Sequence, residues 1–474
     1  MPPLRDAVRD LDGGEQAQLH DVLRIVVGSN SELEESFVDT ANEALRQVAD
    51  HDLAVTTTEV IQTFFRQTTP PNREHVIELN QRKLELRRIA RLLRIQLAER
   101  QVPIGDIAAT GLGYANLLFI AMVVLQLVRA KESDLTLLLV EEPEAHLHPQ
   151  LQLILLDFLH EQARSSGQVS DPTKPSGKVQ VVVTTHSPVL ASTVSVRNVV
   201  VVARDSDSAD WCTKATAIRA VGLLDVQRRK IDRYLNSTRA ALLFARDIVL
   251  VEGIAEMLVL PSLAPHRLKE LAEEIVSRGE GTDVEAITKK LLRQFRSATL
   301  INIEGVDFEP YLQVLLDGEH PRVDRVVVVT DRDHTGAGDE RKSHYEKRFA
   351  PHVDAGRLAV VVGGTTLEAE MFRMAQNEEL LHAAFLSLHP NSDHHWKKVV
   401  AAVEGKGLDD RAETFASAIR AKSAKDEYYL DIAKGEFAHV VAEALESNNG
   451  PSLSVPSYLE TAIDAVAHVA AEQG

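Results

Sequence analysis

An α/β architecture, with a helical segment before it and a helical tail after it, is what this sequence predicts. Three observations carry that expectation. The first hundred residues hold no strand candidate of any strength, and their apolar positions, such as Leu19, Val22, Leu23 and Val26, recur every three or four residues. From about Gly105, short and almost purely apolar runs alternate with helical stretches, the pattern of an α/β domain. After about Gln376 only helical texture remains. At roughly 100 to 200 residues per domain, 474 residues allow two to four domains, and 44% hydrophobic content supplies more than one core.

In chain order, Leu135 to Val140 (LTLLLV) and Val179 to Thr184 (VQVVVT) read as buried parallel strands, because they are nearly continuous in apolar residues instead of alternating. Gln150 to Gln162 between them reads as a helix, and Ser165 to Lys178, rich in Ser, Gly and Pro, as a loop. A further apolar run, Asn198 to Ala203, precedes a polar stretch from Asp205 to Ser237 that suggests a domain boundary. A second α/β pattern follows: a strand at Asp247 to Val251 (DIVLV), a helix from Ala255, a charged helical insert near Leu268 to Phe295, and a strand at Thr299 to Ile303. Strands at Arg325 to Thr330 (RVVVVT) and Leu358 to Val362 (LAVVV) complete it. The expected domains are therefore 1–104, 105–238, 239–375 and 376–474. No internal repeat of fixed period is visible.

Composition narrows the function. The 52 Lys plus Arg against 70 Asp plus Glu give a formal charge of −18, which weighs against a nucleic-acid partner because phosphate backbones attract cations. One helical stretch runs the other way: Gln81 to Arg100 carries Arg82, Lys83, Arg87, Arg88, Arg91, Arg94 and Arg100 against Glu85 and Glu99. Such a run is either a solvated helix face or a face for nucleic acid or a partner. A single cysteine, Cys212, excludes an internal disulfide and any multi-cysteine metal site, which fits a reducing cytosol. No secretory signal opens the chain, and the longest apolar stretch, Leu117 to Val128, is too short to span a bilayer. A cytoplasmic protein without a membrane partner is expected.

Two constellations carry chemistry. The first is Val140-Glu141-Glu142-Pro143-Glu144-Ala145-His146-Leu147-His148-Pro149, with two carboxylates at the C-terminal end of an apolar strand, where α/β sheets present ligands. One such acid can hold Mg²⁺ while the next polarises a water. Upstream, Gly111 and Gly113 in Ala109-Thr110-Gly111-Leu112-Gly113-Tyr114 open a long apolar helix, whose free N–H groups suit phosphate. Downstream lies Thr184-Thr185-His186-Ser187-Pro188.

The second constellation begins at Val251-Glu252-Gly253-Ile254-Ala255-Glu256, where Glu252 ends a strand and Glu256 lies one helical turn on. Asp331-Arg332-Asp333 closes another apolar strand. Singly, each pattern is common as a helix N-terminus or a turn. Together they converge, because ends of parallel strands in one sheet meet in space, and four converging carboxylates call for divalent cations.

The first constellation resembles the Walker B motif, D-loop and H-loop of ABC-type ATPases of the RecF, SMC and OLD group, with the glycine turn at the place of their signature motif. The resemblance assigns Gly111, Gly113, Glu141, Glu142 and His186 to nucleotide binding. No G-x-x-x-x-G-K-[ST] phosphate loop occurs, so the expectation is a partial ATPase that starts inside the fold, binds ATP only if that loop is supplied, and does not turn over ATP by itself.

The second resembles the Toprim domain of topoisomerases, primases, RecR-like proteins and OLD-family nucleases. It assigns Glu252, Glu256, Asp331, Asp333 and Glu368, from Thr366-Leu367-Glu368-Ala369-Glu370, to two Mg²⁺ or Mn²⁺ ions. Glu252, Asp331, Asp333 and Lys434, in Ala433-Lys434-Gly435-Glu436, become catalytic, with Lys425 as the alternative lysine. His334 stands next to the DxD, and Tyr428 and Tyr429 lack the surroundings of a topoisomerase nucleophile.

The combination resembles an OLD-family ATP-dependent endonuclease, of the kind that serves as nuclease subunit in Gabija-type anti-phage systems. It implies DNA as substrate, a dimer or higher homo-oligomer with the helical N-terminal segment as candidate interface, a helicase as a possible partner, and a role in phage defence or DNA repair. The rival readings are a RecF- or SMC-like DNA-binding ATPase with an inactive Toprim, and a regulatory scaffold.

Overall fold

The structure is a computed structural model that describes residues 18–28, 30–68, 75–79, 83–93, 95, 112–130, 133–167, 175–204, 212–235, 238–318, 321–332, 336–421, 428–447 and 453–467. These divide into two compact units, Met1–Leu190 and Ala191–Gly474. It is an α/β protein whose sheets are parallel except for one antiparallel pair. No described helix is long and apolar enough to cross a membrane.

In the first unit, helices α1 (Gln18–Val27), α2 (Ser31–Ala49), α3 (Asp52–Thr68) and α4 (Leu86–Leu92) precede the apolar helix α5 (Leu112–Ala130). Phe119 and Met122 of α5 pack with Val22 and Ile95. On α4, Leu86, Ile89 and Ala90 face inward while Arg87, Arg88 and Arg91 are exposed, so these three residues of the basic run lie on the outer side of an amphipathic helix, and Arg82, Arg94 and Arg100 lie outside the described residues.

Strands β1 (Leu135–Glu141) and β2 (Lys178–Thr184) pair in parallel, with helix α6 (Pro149–Ser165) as their crossover. Leu138 and Val140 bury against Ile120, Leu155 and Leu159. The other face differs from the doubly buried strands expected from the apolar runs: Leu135, Leu137 and Leu139 stay about half exposed (54%, 53% and 51%). Helices α5 and α6 supply the packing on one face.

In the second unit four strands, β5 (Asp247–Val251), β6 (Thr299–Asn302), β7 (Arg325–Asp331) and β8 (Leu358–Gly363), form a fully parallel sheet in the order β6-β5-β7-β8. Here the apolar runs are buried on both faces. Side chains alternate across a strand, so Val249, Val251, Val327 and Val329 enter one core while Ile248, Leu250, Val326 and Val328 enter another.

The first core is built by α8 (Ile254–Ser277), α9 (Val284–Ser297) and the tail helices α12 (Leu367–Arg373), α13 (Glu378–Leu388), α14 (Asp393–Val403), α15 (Leu408–Arg420), α16 (Lys434–Glu446) and α17 (Ser457–Val466). The second holds α10 (Glu309–Leu316), Tyr345 and Phe349 from the region of α11 (Ala337–Arg348), and the stretch before β5. That stretch contains the antiparallel pair β3 (Val200–Arg204) and β4 (Thr213–Ala217), then helix α7 (Asp225–Tyr234). Its Val196, Ile218, Ile231 and Leu235 pack with Ile248 and Leu250. The two compact units meet at Leu190, and the described part of the stretch that is polar in sequence covers a face of the sheet with a few well-spaced apolar side chains.

Candidate functional site

The chain leaves β5 for β6 on one side and returns for β7 on the other, so the strand order reverses between β5 and β7. Connections diverge at such a switch point and open a crevice beyond the carboxyl ends of the two strands. Glu252 immediately follows β5 and Asp331 is the last residue of β7, so both expected strand-end acids stand at that crevice.

Glu252 is held from three directions: its Oε1 accepts from the Thr330 hydroxyl, from the Asp331 N–H at 3.0 Å and from Arg341 at 3.1 Å. The same Arg341 guanidinium reaches Thr330 Oγ1 at 2.8 Å and the Asp331 carbonyl at 2.7 Å, which locks the ends of β5 and β7 together. Arg341 sits in a helix that reads as charged surface (AGDERKSHYEKR), so no sequence signal distinguishes it. Glu256 closes the first turn of α8, where its Oε2 accepts the Gly253 N–H at 3.1 Å. That capping bond engages only one of its two oxygens.

Asp331, Glu256 and Glu368 are buried, at 8%, 8% and 3% exposure. Burial, reinforced by Glu256, Glu252 and Glu368 and opposed by Lys434, holds the Asp331 carboxyl well above the usual carboxylate range. Burial likewise raises Glu256, against its backbone hydrogen bond and Lys434, and Glu368 and Glu252 add to the rise. Both oxygens of Glu368 lack a hydrogen-bond partner among the described residues; the nearest cation is the Lys434 ammonium, 3.8 Å from Oε2. Glu370, two residues on, is satisfied by Thr365 (2.8 Å) and Arg373 (3.0 Å). The choice of Glu368 over Glu370 thus rests on partners that the sequence does not display.

The structure brings together Glu252, Glu256, Asp331, Glu368 and Lys434, while Asp333, His334 and Lys425 lie outside the described residues. Among the described residues no three acidic, imidazole or thiol groups close around one point at metal-ligand distance. The donors nonetheless suit a hard divalent cation: they are all carboxylate oxygens, and two of those oxygens are buried without a proton donor, which is costly unless a cation meets them.

Tyr458, on α17, is a member of the site that sequence reading missed. A Cβ on Gly363 would stand 3.1 and 3.2 Å from the Tyr458 ring and 3.3 Å from Asp331 Oδ1, so glycine lets ring and carboxylate meet behind β8. The phenol is buried, its hydroxyl has no partner among the described residues, and burial with the charges of Asp331, Glu256, Glu370 and Glu368 pushes its pKa well up. Removing an unpartnered buried hydroxyl relieves a desolvation cost of about 1–3 kcal/mol. Tyr458→Phe is therefore expected to raise the melting temperature in EDTA; a lowered one in thermal denaturation would show that the hydroxyl is bonded.

In the first unit, Glu141 ends β1 opposite Thr184, and Glu142, at φ 43°, donates its N–H to the Thr184 carbonyl at 2.9 Å. Glu144 Oε1 accepts from Thr185 Oγ1 (2.7 Å) and the His186 N–H (2.9 Å), and His186 Nε2 lies 3.6 Å from Glu142 Oε1. Gly113 opens α5 against the same turn: a Cβ there would stand 2.6 Å from the His146 carbonyl, so only glycine permits the approach. Glu141, Glu142, His186 and Gly113 accordingly share one end of the β1/β2 pair, and Gly111 lies outside the described residues.

Residues 18–191 match the family model of an AAA ATPase domain, a span that lies in the first unit but for its last residue. No curated protein matches the chain. Among solved structures, the C-terminal region of the OLD protein of Xanthomonas campestris pv. campestris aligns with 48% of this chain and 94% of its own length, at 20% identity and a TM-score of 0.28.

Proposed function

We propose that the second unit is a Toprim-type, Mg²⁺- or Mn²⁺-dependent DNA endonuclease of the OLD kind, joined to an ATPase-like first unit and serving phage defence or DNA repair. The observation that carries the reading is the buried carboxylate set at the switch point, with Glu368 free of hydrogen bonds among the described residues and paired only with the Lys434 ammonium at 3.8 Å. A purely structural cluster would be neutralised by hydrogen bonds or arginines, as Glu370 is.

Glu252, Glu256, Asp331 and Glu368, with Asp333, would hold two divalent ions. Such ions, when bound, lower the pKa of an attacking water and neutralise the scissile phosphate. The protein's own contribution is positional. Arg341 and Thr330 fix the orientation of Glu252 across the two strand ends. Burial around Asp331 and Glu368 excludes bulk water, so charge interactions act at a lowered dielectric. Lys434 presents an ammonium where the phosphorane oxyanion or the leaving 3′-oxygen would gather charge.

The reading predicts that supercoiled plasmid is nicked or linearised by the wild-type protein with Mg²⁺ or Mn²⁺, followed on agarose gels, and stays intact with EDTA. Intact plasmid under every metal condition would contradict it.

A further inference from the structure

Around α7 the charge balance of this acidic chain reverses. Residues 212–235 hold six basic side chains (Lys214, Arg219, Arg228, Arg229, Lys230, Arg233) and two acidic ones (Asp225, Asp232). Arg228 and Lys230 are committed, to Asp225 at 2.7 Å and Asp307 at 2.5 Å. Arg229 and Arg233 are exposed, lie four residues apart on one helix face, and have no ion pair or side-chain hydrogen bond among the described residues. Arg197 and Arg219 are in the same condition.

The packing brings together the segments that carry these four arginines. The Asp232 carboxylate accepts from Ser195 Oγ (2.9 Å) and the Val196 N–H (2.8 Å), which fastens the turn that carries Arg197 to α7. The Ile218 N–H donates to the Val199 carbonyl at 3.0 Å, which brings the turn with Arg219 alongside. Arginines that serve the fold are bonded to acids or carbonyls, as Arg239, Arg267 and Arg341 are. Four exposed, uncommitted arginines on adjoining segments are instead free to meet an external anion.

The tract also has a fixed place relative to the carboxylates. Lys230 of α7 grips Asp307 in the loop after β6, and Gly305 in that loop donates its N–H to the Glu252 carbonyl at 3.1 Å. A basic tract one loop away from a phosphodiester-cleaving site fits the flanking backbone of the substrate.

We infer that Arg197, Arg219, Arg229 and Arg233 form the tract that binds the sugar-phosphate backbone of duplex DNA beside the cleavage site, an inference that rests on the nuclease reading. Each phosphate contact adds about 0.9 to the slope of log K against log salt. The full-length protein, with a fluorescein-labelled 25-mer duplex in EDTA to prevent cleavage, is titrated by anisotropy at several salt concentrations. Arg229→Ala/Arg233→Ala should weaken binding roughly ten- to hundredfold at 0.1 M salt and lower the slope by about 2, with an unchanged melting temperature. Lys290→Ala/Arg293→Ala, on the helix that enters β6 from its opposite end, should leave both quantities unchanged.

Wild-type affinity and slope in the Arg229/Arg233 variant, or an equal loss in the Lys290/Arg293 variant, would overturn the tract while leaving the nuclease reading intact. Tighter binding of an RNA duplex of the same sequence would overturn DNA as its occupant. A wild-type protein that binds no DNA removes the nuclease reading and the tract with it.

Discussion

Asp331→Asn is expected to abolish plasmid cleavage and, in the same protein, to raise the melting temperature measured in EDTA. Two opposite effects from one substitution follow from where the carboxylate sits. Its folded-state pKa lies above its unfolded one because of burial and the neighbouring Glu256 and Glu252. A group shifted upward contributes stability that is present below the unfolded pKa and is lost as pH rises through the folded pKa. Without metal, the wild type should therefore lose stability on going from acid toward neutral pH, and the amide variant, which cannot ionise there, should lose less.

The gap between the two melting temperatures should open as pH rises. In a unit of this size about 1 kcal/mol corresponds to roughly 2–4 °C. Mn²⁺ should reverse the order, raising the wild type by binding only its folded state and leaving the variant nearly unmoved. A variant less stable than wild type in EDTA at neutral pH would mean that Asp331 is held by hydrogen bonds instead of strained by its neighbours.

How much of this was legible in the sequence depends on how local the signal is. The four strands of the second unit are legible because both faces are buried, which removes every polar residue from Ile248 to Val251 and from Val326 to Val329. The acids at their ends stand out against that background, so Glu252 and Asp331 could be placed at the strand ends before any packing was known. For β1 and β2 the same apolar signature overstated the burial, since a continuous run does not say which face is covered.

Arg341 and Tyr458 could not be found in this way. Arg341 is one of several charges on a polar helix, and its role exists only because α11 follows β7 and turns back over the ends of β5 and β7. Tyr458 approaches Asp331 across 127 residues of chain, through a gap that Gly363 leaves. The α7 tract was hidden by averaging, because a net charge of −18 conceals a short region of opposite sign.

Lys434→Ala should reduce cleavage by about 10²–10³-fold while leaving the fold and the metal affinity in place, the loss typical of removing one donor to developing negative charge. The position of this lysine argues that it serves chemistry rather than the helix. It is the first residue of α16, which has no side-chain cap, and a cation at a helix N-terminus opposes the macrodipole by about 0.3–1 kcal/mol. Its ion pair with Glu368 leaves the lysine side chain 51% exposed, so it reaches the carboxylates while remaining accessible from solvent.

Removing the charge should relieve the helix terminus and also deepen the negative potential around Asp331 and Glu256, both of which it lowers. Mn²⁺ affinity, followed by electron paramagnetic resonance of the free ion, should then be equal to wild type or higher. Single-turnover cleavage at saturating Mn²⁺ should fall, and Lys434→Arg should recover part of it by restoring the charge with different geometry. Undiminished cleavage in Lys434→Ala would remove the lysine from the chemistry. A loss of Mn²⁺ affinity that accounts for the whole rate defect would instead make it a support for the metal centre.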